Sequence, residues 1–528
     1  MKKNLACLFL AGIIVSSCTE KSDSCDELPV VSVDSITEIT ANSVRVHLTI
    51  TAPECNQEVI QQGFVFSEKK FPEVEGKDVK TRIYYDKSYR IERLEHRKTY
   101  FIRAFLENSS GIHYSEQKEF KVINEELFYT CLGGINFDAG FSVKQTRTGD
   151  FLIAGVSTSN DGNLYDNKGK KDGWIVKLSK TSQVIWQHNM GGSNDDAFNS
   201  VCLTSDGGCL VVGETLSVDG DITFNKGSSD AWVVKLDSYG NMVWQQPFGG
   251  TYDDGANYIT NTKDGGYIIA GYSRSFDGDV TGNKGAEDVW LLKLNAEGVI
   301  EWQNSYGGKL SDIGTSVQET LDGGFIVGAN TYSSNGDVAV DYGMQDAWMF
   351  KTDSRGKLLW ERTIGSPQDD GMGQVIQSKE GYYIAVGNKY NIKNSSSDLL
   401  IVKLSETGSV ISHDLYGENG IDGASSIVQA EDGNFFISGT IDPDGGASSQ
   451  SDLDLLVMKM DQSGTVLWKK TYGGVNMDIS SEIQLTDKGV VVVGSTYSYT
   501  NEAVDNHSEG MSDFFILNMN SEGTFDYR

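Results

Sequence analysis

Proline is almost missing from this chain, with 6 in 528 residues against 59 glycines. That excludes proline-rich stalks and leaves glycine to build the turns. Positive charge is scarce as well. Asp and Glu number 74 against 44 Lys and Arg, a formal net charge of −30. Binding of nucleic acid or anionic membrane through bulk charge is thereby excluded. Of the six histidines only His188, His413 and His507 lie beyond residue 126, each in a different stretch. No Ser-His-Asp arrangement, metal-type histidine spacing or phosphate loop can be read. Cysteine is sparse. Setting aside Cys7 and Cys18 near the start, Cys25, Cys55, Cys131, Cys202 and Cys209 make an odd number, which is no disulfide framework. Cys202 and Cys209 fall on one hairpin as diagonal neighbours and are expected to be buried free thiols. The apolar run Leu5 to Val15 is too short to span a bilayer.

What is present is a phrase at near-fixed period. It reads Gly-Gly-x-x-x-Asp, a strand, Asp-Gly-Gly, a strand, an Asp/Asn/Gly-rich loop, Asp-x-Trp, and a last strand carrying Trp. The glycine pairs begin at Gly133, Gly191, Gly249 and Gly307, 58 residues apart. Weaker copies begin at Gly365, Gly417 and Gly473, where Ser366 and Glu418 replace the second glycine of the fifth and sixth. Seven units thus fill residues 126–528. Such a period signals a solenoid, propeller or array. The copies also control for one another: a residue in every copy serves the architecture, whereas a residue in one copy is free for other work.

The second copy reads as four antiparallel strands. Phe198 to Thr204 is strand A, Asp206-Gly207-Gly208 a hairpin turn, and Cys209 to Gly213 strand B. Residues 214–230 form a long loop. Ala231 to Leu236 is strand C and Met242 to Gln245 strand D. Four such strands repeated seven times predict an all-β chain, a seven-bladed β-propeller over 126–528. The phrase in the copies at Gly191, Gly249 and Gly307 resembles the bacterial β-propeller repeat family of secreted and surface proteins. Either Leu127-Phe128-Tyr129 or Thr524-Phe525-Asp526-Tyr527 can complete the last blade; the N-terminal segment is preferred, because it ties the ring's ends together.

Residues 29–122 lack the phrase and alternate in short runs, such as Ser43 to Ile50, Gly63 to Phe66 and Tyr100 to Phe105. Leu94 to Tyr100 and the strand after it resemble the tyrosine corner of fibronectin type III domains. The resemblance implies a small β-sandwich, most simply a spacer. Ahead of it, Lys2, Lys3, the apolar run and Val15-Ser16-Ser17-Cys18 resemble a bacterial lipoprotein signal over residues 1–17. That likeness implies lipidation at Cys18, a tether over 18–28 and a lipid-only anchor to the outer membrane. The acidic start of the tether is similar to those of lipoproteins facing the exterior in the Bacteroidota.

The loops joining D to A and B to C share one face. Each D-to-A loop brings one aspartate: Asp138, Asp196, Asp254, Asp312, Asp370, Asp422 or Asp478. They could ring the axial mouth, but their presence in every copy favours turn capping. The B-to-C loops add Asp161, Asn163, Asp219, Asp221, Asp277, Asp279 and Asp337, with Asn167, Asn225, Asn283 or Asp341 four residues on. Calcium takes such oxygens, so it is the one cofactor these loops suggest; ordinary turn formation uses the same residues. All nine tryptophans fall in the strand-C and strand-D columns and read as packing between blades. Residues breaking the repeat on this face are the candidate ligand contacts: Tyr165, Phe224, Tyr252, Phe276, Tyr342 and Tyr390, with Arg274 and Lys309. Catalytic residues are not identifiable. The expected function is a surface platform for an extracellular protein or glycan. A polysaccharide-degrading hydrolase or lyase using loop carboxylates is the alternative, and a purely structural surface protein the third.

Overall fold

The computed structural model describes residues 28–37, 43–52, 58–76, 78–83, 87–95, 98–122, 127–393, 395–417, 420–443, 453–498 and 511–525. The leader, Cys18, all of the tether but Leu28, Cys25, Cys55 and His507 lie outside them. The chain divides into two compact units, Met1–Asn124 and Glu125–Arg528. Every regular element among the described residues is a β-strand.

The first unit has two sheets. One holds Val30–Thr37, Ser43–Thr51 and Ser88–Glu92. The other orders Lys80–Ile83, Val59–Ser67, Thr99–Asn108 and Gly111–Tyr114, with Lys118–Lys121 also pairing Thr99–Asn108. Alternation along Ser43–Thr51 turns Val44, Val46 and Leu48 inward against Phe64, Phe66, Ile102 and Ala104 of the other sheet. Tyr100 is buried, and its hydroxyl accepts a hydrogen bond from the Glu95 backbone N–H at 3.0 Å. That is the bond a tyrosine corner makes.

In the second unit seven four-stranded antiparallel sheets follow one another along the chain. The second sheet is typical: strand A is Asp196–Leu203, strand B Cys209–Thr215, strand C Asp230–Leu236 and strand D Met242–Phe248. C is buried throughout its length and B at every residue but Glu214, which accords with their apolar runs. Strand D begins with the exposed Met242 and Val243 at the outer edge. Cys202 pairs with Leu210 and Cys209 with Leu203, so the two thiols are not diagonal neighbours on one face but point to opposite faces of the sheet, each buried and free. Burial pushes both up to about 12.

Each strand A carries a β-bulge at the same point, between Phe198 and Ser200 in the second sheet and between Ala256 and Tyr258 in the third. The bulge bends the inner strand around the axis. The next residue then ties one sheet to its neighbour: the Val201 N–H donates to Ser142 Oγ at 3.2 Å and the Ile259 N–H to Ser200 Oγ at 3.3 Å. In the seventh sheet Glu482 holds this position. Its Oε2 accepts the Val143 N–H and the Ser142 hydroxyl of the first sheet, both at 2.7 Å, and Oε1 pairs with Lys144. The last sheet therefore bonds to the first, and the arrangement is a closed, propeller-like ring.

The chain start supplies the final strand. Phe128–Leu132 pairs with Asp513–Asn520 and completes the seventh sheet. Phe525 instead lies over Tyr129, with ring centroids 6.1 Å apart. Phe128 is fully buried between the seventh and first sheets, in contact with Phe151. Phe128→Ala should therefore cost about 3–5 kcal/mol in urea unfolding, the usual range for a buried aromatic. A much smaller loss would mean that the closing strand is not part of the cooperative ring.

Candidate functional site

The seven D-to-A aspartates are almost fully buried at the head of strand A. Asp196 Oδ2 accepts the Gly192 N–H at 2.8 Å and the Ser217 hydroxyl at 2.7 Å, while Oδ1 accepts the Thr215 hydroxyl. Asp254 and Asp312 repeat the pattern with Gly250, Ser275 and Ser273, and with Gly308, Ser333 and Thr331. They cap their own turns and fix the start of the B-to-C loop; they do not line an open mouth.

A second aspartate column faces them from the preceding sheet, at the start of strand C. Asp172 meets Asp196, Asp230 meets Asp254 and Asp288 meets Asp312 at the first glycine of each Gly-Gly pair. At Gly191, Gly249 and Gly307 a Cβ would stand less than 3.0 Å from both carboxylates, closer than real Cβ atoms come. The second glycine is crowded as closely, but by the Asp-Gly-Asp loop, with Asp219 Oδ1 less than 3.0 Å from a Cβ at Gly192. The fifth and sixth copies lack that loop and carry Ser366 and Glu418 there. Burial pushes Asp172 and Asp230 up to about 6 and Asp288 up to about 7, and the facing aspartate adds to the rise. The sequence contained this column in Asp-x-Trp, but its partner belongs to the next sheet.

The suggested calcium ligands have protein partners. Asp219 Oδ1 accepts the Ser193 N–H at 2.7 Å, and Asp277 Oδ1 the Thr251 N–H at 2.8 Å. Asp161 does the same for Ile135, and the Asn163 side-chain oxygen faces the Gly133 N–H at 3.5 Å. Asp221, Asp279 and Asp337 accept the N–H of Gly191, Gly249 and Gly307, and each also pairs with a lysine of the preceding sheet. Those lysines are Lys168 (2.6 Å), Lys226 and Lys284 (2.8 Å). An ammonium thus lies against one carboxylate of each of these three loops. Asn167, Asn225 and Asn283 cap the glycine two residues on. Among the described residues no three acidic, His or Cys side chains converge as a metal site would require. The sequence held a signal for this pairing: where Tyr342 replaces the lysine, the shortened next unit has no Asp-Gly-Asp loop.

The tryptophans are structural. Trp174, Trp232 and Trp290 are buried and donate their indole N–H to Gln187, Gln245 and Gln303 of strand D. The strand-D tryptophans are only half-buried. Trp186 and Trp244 cover Gly240 and Gly298, the turn glycines of the following sheet, where φ is +86° and +82°.

The residues that break the repeat separate into two groups. Tyr165, Phe224, Tyr252, Phe276 and Tyr342 are exposed by 58%, 42%, 54%, 61% and 49%. Leu216, Val218, Leu310, Tyr332 and Met344 are exposed on the same loops and were not anticipated. Their repeat equivalents are Asn, Ser, Thr or Lys as often as apolar residues, and that irregularity was the available signal. The Tyr252 N–H bonds Ser275 Oγ at 2.9 Å, which sets Tyr252 beside the Arg274–Phe276 segment. Lys309 is exposed on the fourth sheet's loop, its N–H bound to Asn335. Arg274 is engaged, paired with Asp253 at 3.1 Å and Glu287 at 3.3 Å. Tyr390 is half-buried within strand Tyr383–Asn391, not on a loop. Near Tyr165, a cavity of about 380 Å³ is lined by Lys168, Trp174, Gln187 and His188.

No protein-family model matches the chain. One curated relative, the regulatory protein FlaEY of Caulobacter vibrioides, is 27% identical over 224 residues, 39% of this chain and 23% of that protein. The match therefore spans under a quarter of the relative's length. Among solved structures, the Pan2 WD40 domain of Neurospora crassa aligns over 74% of this chain and 96% of its own, with 8% identity and a TM-score of 0.43. Puromycin hydrolase aligns over 75% and 57%, with 10% identity and a TM-score of 0.37. At these scores the likeness is one of general form, and the ring rests on its own hydrogen bonding.

Gly249→Ala should destabilise the second unit severely, by about 3 kcal/mol or more, because two buried carboxylates must move. Gly265→Ala has no atom within 4 Å of its Cβ and pays only for a φ of +88°, about 1–2 kcal/mol. Thermal unfolding of the two variants checks the difference; equal losses would contradict the crowding argument.

Proposed function

We propose that this protein is a lipid-anchored surface protein of a bacterial outer membrane. In this reading a seven-bladed propeller binds an extracellular protein or glycan, and a fibronectin III-like sandwich acts as its spacer. The anchor reading rests on Val15-Ser16-Ser17-Cys18 and the apolar run before it. The sandwich reading rests on two sheets and the Tyr100–Glu95 bond. The blade count follows from the seven repeats and the seven sheets.

The observation that carries the binding role is a division of labour on the loop face. Residues kept as Asp or Asn in the second to fourth copies, Asp196, Asp219, Asp221, Asn225 and their equivalents, are consumed by internal hydrogen bonds. Residues that vary include exposed aromatic and aliphatic side chains, Phe224, Tyr252, Phe276, Leu310 and Tyr342. Exposed apolar groups on a rigid frame suit recognition of a partner surface or of sugar rings. The acidic pairs are buried, so they are unavailable to a substrate as catalytic carboxylates. That favours a non-enzymatic platform, with calcium unnecessary for its loops.

Glycan arrays and pull-downs from the extracellular fraction, made with the full chain, test this reading. Replacing Tyr252 and Phe276 together by alanine should weaken the captured interaction about thirtyfold or more, as loss of about 2 kcal/mol implies. The thermal midpoint should hold, since both side chains are exposed. Shortened glycan products in the same assay would favour the polysaccharide-degrading alternative, and unchanged binding would move the site elsewhere.

A further inference from the structure

The meeting aspartates leave one atom unaccounted for. Oδ2 of Asp172, Asp230 and Asp288 accepts the backbone N–H of Lys168 (2.7 Å), Lys226 (2.6 Å) and Lys284 (2.8 Å). Oδ1 of each has no hydrogen-bond partner, although these side chains are fully buried. A bare carboxylate oxygen in that position carries a large desolvation cost. A second carboxylate oxygen lies at the same glycine: Oδ2 of Asp196, Asp254 or Asp312 is, like the orphan Oδ1, less than 3.0 Å from the position a Cβ would take. Two ionised groups facing each other here would add repulsion to desolvation.

Three identities for the missing element can be weighed. A divalent metal needs more oxygens than two carboxylates offer, and no third acidic residue converges. A lysine can be weighed at the fourth junction, where Tyr342 replaces the loop lysine: Lys389 donates to the Gly365 carbonyl, but Asp346 Oδ1 and Asp370 Oδ2 keep no hydrogen-bond partner. At the three regular junctions the lysine is directed elsewhere, to Asp221, Asp279 and Asp337. We propose that the pairs Asp172–Asp196, Asp230–Asp254 and Asp288–Asp312 are proton-binding sites. In each, one shared proton lets the strand-C aspartate donate from Oδ1 to the strand-A aspartate of the next sheet. The ring is thus held together by protons at three of its seams.

The charged groups facing each seam are few. Asp230 is faced by Asp254, Lys226 and Asp279; Asp288 by Asp312, Lys284 and Asp337; Asp172 by Asp196, Lys168 and Asp221. A group whose folded pKa lies above its unfolded value stabilises the fold at low pH and loses that contribution as pH rises through the folded value. With the aspartates raised from 3.8 to about 6 or 7, the seams lose stability between about pH 4 and 7.5. Asp206, held at about 2 by the Thr204 hydroxyl and then Lys235, loses its contribution only in stronger acid. Burial lowers His188 and His413, which act in the opposite direction. The decisive quantity is therefore a difference between variants.

Asp230→Asn and Asp288→Asn, singly and together, replace the shared proton with a permanent amide donor. Thermal unfolding of the full chain from pH 5 to 8.5 should show the wild type losing several degrees relative to the double variant as pH rises. The double variant should be the more stable of the two at pH 8. An unchanged pH slope, or a variant that is the weaker at pH 8, would overturn the proposal. So would stabilisation of the wild type by millimolar calcium chloride at pH 8 that the variants lose, which would make the bound element a metal. If the variants do not fold, infrared difference spectra of the wild type decide. A neutral buried carboxylic acid band present at pH 5 and lost by pH 8.5 supports the shared proton, and its absence refutes it.

Discussion

Two aspartates from neighbouring sheets meet at a glycine, and the ring depends on that meeting. The strand-A aspartate caps the turn that leads into its own sheet, while the strand-C aspartate closes the loop of the sheet before. Only a residue without a Cβ fits between them. The glycine N–H is then taken by the second carboxylate of the Asp-Gly-Asp loop, which also holds a lysine of the preceding sheet. One seam therefore joins two sheets, two loops and a turn through backbone donors. Apolar packing between sheets supplies most of the burial, with Trp290 set among Val212, Val233 and Ile269 in one such core. The polar seam supplies position, since its bonds are directional and its groups are costly to leave unmade.

This has a consequence for function. A loop face built from aspartate, asparagine and glycine looks like a set of ligand sites, yet nearly every such group in the regular copies is engaged internally. In the second to fourth copies only the strand-C carboxylates keep a buried oxygen without a hydrogen-bond partner. Side chains that take no part in it, among them Phe224, Tyr252 and Phe276, can change without loosening the ring. On the proposed binding role, the surface can be rewritten while the scaffold stays constant.

The period, the Asp-Gly-Gly turns and the alternation made the strands legible, because each is a local signal. The observed strands of the second sheet differ from the expected ones by a few residues at their ends. Closure by Leu127 to Tyr129 was legible because that segment precedes Gly133 as Trp244 precedes Gly249. The seam was not. Asp172 and Asp196 are separated along the chain by strand C, a turn and strand D, and no local pattern says that they touch. The Lys168–Asp221 pair is hidden for the same reason, since its members lie 53 residues apart. Tyr390 was taken for a loop residue because its copy is irregular; there strand B simply runs on through Asn391. Arg274 looked available because neither Asp253 nor Glu287 is marked in the sequence as its partner.

The central claim is that the glycine seams are part of the cooperative core although they lie in loops. Amide hydrogen exchange at Gly192, Gly250 and Gly308, whose N–H groups donate to Asp196, Asp254 and Asp312, tests it directly. These amides should exchange only through global unfolding of the second unit, as slowly as those of strands B and C. Exchange at the rate of ordinary surface loops, with the strands still protected, would contradict the account.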